Sequence, residues 1–161
     1  MVPKKSLFQF DDFVILNFTY NFVPSKKQIV NPKEFTDKYP IDVDFTFQKN
    51  SDKTMMLCKI SINQSNEPLP GYSLFVEGLG IFDPSIAADF QGQEHVINIQ
   101  FPAVSYGITQ IRNIILLLTS QGPFGKYQLP LFSAADLFNK KAKNLEKKKA
   151  TPDSKEKGTP S

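Results

Sequence analysis

The chain has 161 residues, a formal net charge of +3 and a pI near 8.9. That length points to one domain plus whatever tail it carries, and 40% hydrophobic against 22% charged residues excludes wholesale disorder. Residues 139–161 hold eight lysines against three acids, leaving eleven basic and thirteen acidic groups in residues 1–138, so the basicity belongs to the tail.

The single cysteine, Cys58, cannot form an internal disulfide, so the fold does not depend on an oxidising compartment. Asp11 and Asp12 interrupt the apolar stretch after Lys4 and Lys5, and no small-residue cleavage site follows, so no secretory signal is expected. The longest fully apolar run, Ile114 to Leu118, is five residues, short of the ~18 expected of a membrane span. The expectation is a cytoplasmic protein with no membrane insertion.

Residues 8–22 read as a long strand. Phe8, Phe10, Val14, Leu16, Phe18, Tyr20 and Phe22 share one parity, broken only by Asp12, and would cover one side of a sheet. Pro24, Pro32 and Pro40 then mark a connection, because proline denies a strand ladder its donor. Over residues 41–48, Ile41, Val43, Phe45 and Phe47 alternate with Asp42, Asp44, Thr46 and Gln48, one face buried and one solvated. A polar turn at 49–53 leads to residues 54–63, where Met56, Cys58, Ile60 and Ile62 repeat the alternation and complete an antiparallel hairpin.

After a second turn, Ser65 to Gly71, residues 72–82 form a fourth strand that is apolar on both parities. Tyr72, Leu74, Val76 and Phe82 lie on one, and Phe75, Leu79 and Ile81 on the other. Such a strand is either sandwiched in the monomer or covered by a partner. Residues 83–100 carry the breakers Pro84 and Gly92 and a short alternating stretch at Val96 to Ile99, and their path stays open.

From Pro102 the period changes. Val104, Ile108, Ile111, Ile115 and Leu118 form one helical stripe, which Ile114, Leu116 and Leu117 widen, so burial on more than one side is expected. Gly122-Pro123 ends this helix. Ser133 with Asp136 three residues on opens a second, with Ala134, Leu137, Phe138, Ala142 and Leu145 on its apolar face. The sum is α+β: a four-stranded antiparallel sheet followed by two helices over residues 1–146, with a disordered lysine-rich tail at 147–161.

Little catalytic equipment is present. His95 is the only histidine and Cys58 the only thiol, so a His-rich metal site is excluded, and neither an enzymatic activity nor a cofactor is expected. Cys58 lies in an apolar row and reads as a small core residue; His95 beside Glu94 reads as a boundary residue. Gly78-Leu79-Gly80 lacks the third glycine and the βαβ context of a phosphate loop, and instead marks a bulge or a close backbone approach. No arginine or aromatic residue follows Phe138 to accompany the tail lysines, so no nucleic-acid partner is expected. The surplus is aromatic, with fifteen phenylalanines and no tryptophan. Phe8, Phe10, Phe13, Phe75, Phe101 and Phe124 either fill the core or a fixed oligomer interface, or face a partner or groove.

Val76-Glu77-Gly78-Leu79-Gly80-Ile81-Phe82, Ile99-Gln100-Phe101-Pro102, Gly122-Pro123-Phe124, Gln128-Leu129-Pro130-Leu131-Phe132 and Ala135-Asp136-Leu137-Phe138 follow in that order. With Phe8-Gln9-Phe10 at the first strand, residues 8–138 resemble the SecB family of protein-export chaperones. The resemblance implies a homotetramer, a dimer of dimers, acting as an ATP-independent holdase that binds non-native polypeptides or preproteins in hydrophobic grooves. It implies an oligomer interface at Leu74, Val76 and Gly78, and client contacts at Phe124, Leu137 and Phe138. The acidic positions through which the family's exporters dock on the SecA motor fall at Asn17, Asn21 and Phe75, none of them acidic. Tyr106-Gly107 stands where a charged residue is expected, and the tail is basic. These departures argue against delivery to SecA. A SecB-like module with one dedicated partner, as in a toxin–antitoxin pair, fits the same residues.

Overall fold

The computed structural model describes residues 10–25, 31–49, 53–83, 85 and 91–150. In chain order these form β1 (Asp12–Val23), α1 (Lys33–Thr36), β2 (Ile41–Lys49), β3 (Thr54–Ile62), β4 (Gly71–Phe82), α2 (Gly92–His95), a π-helical segment (Val96–Gln100), α3 (Phe101–Thr119) and α4 (Ala134–Ala150). The chain divides into two compact units, Met1–Leu131 with the sheet and α3, and Phe132–Ser161 with α4.

The architecture is α+β, as expected. The sheet has four antiparallel strands in the order β1-β4-β3-β2. Where a strand alternates cleanly, the period decides its face. Val43 pairs with Ile60 and Phe45 with Cys58. Met56, Cys58, Ile60 and Ile62 are fully buried, while Asp42, Asp44, Thr46 and Gln48 face solvent.

β1 departs from its expected parity. It begins at Asp12, with Phe8 outside the described residues, and its register against β4 shifts between Ile15 and Asn17. Phe13 and Ile15 pair with Gly80 and Gly78 before the shift, whereas Phe18, Tyr20 and Phe22 pair with Val76, Leu74 and Tyr72 after it. One inserted residue exchanges the two faces. Leu16, expected in the buried row, sits at the bulge and is 54% exposed.

The two-sided β4 lies in the middle of the sheet. Tyr72, Leu74, Val76 and Phe82 are buried on the face that carries α3. Leu74, Val76 and Gly78, expected at an oligomer interface, lie on this face and are buried within this chain. A Cβ on Gly78 would overlap the Phe13 ring, and one on Gly80 the Phe10 ring, so the close approach is by aromatic rings and not by backbone. Phe75, Leu79 and Ile81 lie half-buried on the opposite face, where Lys59 meets Glu77 at 3.0 Å.

The path from 92 to 100 is helical, and runs without a break into α3. Pro102 lacks the N–H of a regular helix and crowds the carbonyl four residues back, at Asn98. That carbonyl lies in the wider π-helical segment, which accommodates the ring. Ala103, Val104, Gly107, Ile108, Ile111, Ile115 and Thr119 form the buried stripe of α3. Full burial of Ile111 and Ile115 stabilises by roughly 1.5–3 kcal/mol each. Thr119 replaces Leu118 in the expected stripe, and Leu117 is 71% exposed, so within this chain α3 is buried on one side. By length and composition the 28-residue helix Gly92–Thr119 suffices to cross a bilayer; here its inner stripe is sealed against the sheet.

In the second unit, Ser133 Oγ accepts the Asp136 N–H at 3.4 Å, and Asp136 pairs with Lys140 at 2.9 Å one turn on. α4 runs to Ala150, so residues 147–150, expected in a disordered tail, are helical. Residues 151–161 lie outside the described residues.

Candidate functional site

A half-open cleft of about 720 Å³ lies within the first unit, between α1, the start of β2, the middle of α3 and the segment 124–131. Three hydrogen-bonded anchors fix its walls. At the crossover end, Tyr39 Oη donates to Pro70 O and accepts the Tyr72 N–H, each at 2.9 Å. Gly71, at φ +112°, has no Cβ to collide with that hydroxyl or with the Phe124 ring. Asn63, itself left-handed at φ 55°, donates to Leu69 O and Tyr72 O at 2.8 Å and accepts the Leu69 N–H at 2.9 Å. Its own N–H reaches Pro40 O at 2.8 Å, which ties the crossover to the β3–β4 turn.

The second anchor holds the loop after α3. Tyr72 Oη accepts the Phe124 N–H at 3.1 Å and donates to Gly125 O at 2.7 Å. Thr119 Oγ1 donates to Ile115 O at 2.8 Å and accepts the Tyr127 N–H at 2.9 Å. The third is Arg112, whose Nε donates to Leu129 O at 2.8 Å while Nη2 reaches the same oxygen. Together these bonds set Phe124, Tyr127 and Leu129 into the cleft wall.

The floor is aromatic. The Tyr39 and Tyr127 rings lie 5.6 Å apart. Burial pushes both phenols up, Tyr127 to about 12 with Tyr39 and Asp37 as lesser causes, so both are neutral hydrogen-bonding groups near pH 7 and not bases. The rim is charged: Lys33, Arg112 and Lys126 face it against one carboxylate, Asp37. Leu131, also on the rim, is 85% exposed.

No protein-family model matches the chain, and no curated protein does. Among solved structures, it is similar to the Mycobacterium tuberculosis Rv1957 SecB-like chaperone in complex with a ChAD peptide from the Rv1956 HigA1 antitoxin. The TM-score is 0.51 at 14% identity, over 77% of this chain and 90% of that one. The fold is SecB-like. A protein of unknown function from Streptococcus agalactiae also aligns, over 76% of this chain and 94% of that one, with a TM-score of 0.37 and 12% identity.

The expected client residues fall in both units. Phe124 lines the cleft, whereas Leu137 and Phe138 belong to α4 of the second unit. Asn17, Phe75 and Asn21 share the sheet face opposite α3, and the one carboxylate among their neighbours in register, Glu77, is matched by Lys59. Gly107 packs against Met56 and Phe13, which leaves no room for a charged side chain there. Cys58 is fully buried; burial, then Asp44, pushes its thiol up to about 12. Among the described residues no three His, Cys, Asp or Glu side chains converge to hold a metal.

The apolar surface is mostly aliphatic, not aromatic. Leu16, Ile97, Leu117, Leu118 and Leu131 are exposed together with Phe22 and Tyr106, while Phe10 is buried. Lys33, Tyr39, Arg112, Lys126 and Tyr127 were not among the residues expected from the sequence. The one available signal was Arg112, the chain's only arginine, set inside an apolar helical stripe.

Proposed function

We propose that the protein is an ATP-independent holdase that binds non-native polypeptide segments in this cleft, and that it acts by binding and not by catalysis. The observation that carries the reading is a pre-built cleft with an aromatic floor and the exposed Leu131 on its rim. Apolar burial at roughly 25 cal/mol per Å² holds a flexible chain without sequence-specific hydrogen bonds. The SecB-like fold supports it. So does the neighbouring structure, in which a SecB-like chaperone holds an antitoxin peptide.

In this reading the chain assembles as a homo-oligomer, a dimer of dimers, in the cytoplasm. The face of α3 that carries Leu117 and Leu118 is the apolar surface offered for assembly. The test is aggregation of a chemically unfolded protein, followed by light scattering without nucleotide. Stoichiometric suppression is expected, and no suppression at several-fold excess overturns the reading.

A second reading has a specific observation behind it. Asn17, Asn21 and Phe75 leave the outer sheet face without carboxylates at the positions of the expected motor-docking residues. That favours one dedicated partner over an export route. Binding to a single partner, with indifference to assorted unfolded chains, distinguishes it.

A further inference from the structure

We infer that the cleft selects acidic client segments: an extended polypeptide carrying carboxylates beside an aromatic or aliphatic side chain. This rests on the holdase reading and adds to it the chemical class of client. Lys33 stands on α1 and Lys126 in the segment after α3, so cations flank the opening from two separate elements. Arg112 adds a third on α3, and Asp37 is the single opposing charge. Among the described residues none of the three cations is paired with a carboxylate.

Arg112 is the best-oriented of the three cations. It is the only arginine in the chain, is half-buried, and is oriented by its two bonds to Leu129 O. A guanidinium has five N–H donors in a planar fork suited to carboxylates, so three remain after these two. Holding the group in place beforehand lowers the ordering cost of the next bond. Tyr39, Tyr127 and Leu131 supply the apolar contact beside these charges, so the site asks for both chemistries in one short segment. The chain's own C-terminal region is the wrong occupant. Residues 139–161 carry eight lysines against three acids, so they do not offer the carboxylates that a cationic rim takes.

The test compares three labelled decapeptides with the same leucine and phenylalanine positions and four variable residues set to Glu, Gln or Lys. Binding to the full-length protein is read by fluorescence anisotropy in 50 and 500 mM NaCl. The Glu peptide is expected to bind about tenfold tighter than the Gln peptide at low salt, a difference of ~1.4 kcal/mol. The gap should close at high salt, as screening requires. Both lysines are exposed, so the double variant Lys33→Glu with Lys126→Glu is expected to fold and to reverse the order of the Glu and Lys peptides. Equal affinity for all three peptides, or an unchanged order in the double variant, overturns the acidic preference while leaving the holdase reading intact. A single-stranded ten-nucleotide DNA that displaces the Glu peptide at equal concentration overturns it in favour of a polyanion site. Binding of none of the peptides, together with no suppression of aggregation, overturns both.

Discussion

The Tyr72 hydroxyl holds the first part of the loop that closes the cleft, at Phe124 and Gly125, and removing it is a direct probe of how the site is built. In Tyr72→Phe the ring still fills its buried place in β4, and its contacts with Phe22 and Phe124 stay in reach. What is lost is the acceptor for the Phe124 N–H, at 3.1 Å, and the donor to Gly125 O, at 2.7 Å. Leaving buried backbone groups unsatisfied costs about 1–3 kcal/mol, and these two are part-buried, so water recovers some of it; the working figure is ~2 kcal/mol. With a urea m-value of ~2 kcal/mol per M, the midpoint falls by ~1 M. Because only the loop loses partners, amide exchange at Phe124 and Tyr127 should accelerate far more than at Ile60 or Ile111 in the core. Peptide affinity should fall with it. A stability loss under ~0.5 kcal/mol, or a uniform rise in exchange, would refute the assignment of this hydroxyl as the anchor.

Other outcomes follow from the same packing. Gly78→Val drives a branched side chain into the Phe13 ring and should cost ~3 kcal/mol or prevent folding, read by circular dichroism and thermal melting; a neutral result contradicts the packing of the Phe13 ring over Gly78. Cys58 has a folded pKa of about 12 against 9.0 unexposed to such burial, so its protonated form is the one the fold favours. That contribution is complete below pH 9 and is withdrawn as pH rises from 9 towards 12. In Cys58→Ala the loss of stability over that window should be shallower. Leu117→Asp touches an exposed side chain and should leave the subunit folded, while size-exclusion chromatography should show a smaller species; an unchanged size contradicts the use of this helix face in assembly.

The parts of the fold that alternate cleanly were legible because period alone places them. Ile41 to Gln48 and Met56 to Ile62 read directly as half-buried strands. β1 was misread because a bulge at Leu16 exchanges faces without leaving a glycine or proline to announce it. β4 is apolar on both sides, so its pattern states that both faces matter and not which one this chain covers; the burial of Leu74 and Val76 decides that. Residues 92–100 hid a helix because Gly92 and Pro102 bracket it, and the wider turn that absorbs Pro102 has no simple period. The cleft was the least legible feature. Lys33, Arg112 and Lys126 are far apart in sequence, and only the crossover and the loop after α3 bring them to one rim. Of the residues expected to contact a client, Phe124 is among those that line the cleft.

The central claim is that unfolded chains enter this cleft. It is tested most directly with a photo-crosslinking amino acid at Leu131 on the rim, and at Thr46 on the solvated face of β2 as control. A chemically unfolded client should crosslink at Leu131 and not at Thr46, and the same client in its native state should crosslink at neither. Suppression of aggregation with no crosslink at Leu131, or with equal crosslinking at both positions, would place client binding elsewhere on the molecule and contradict the account.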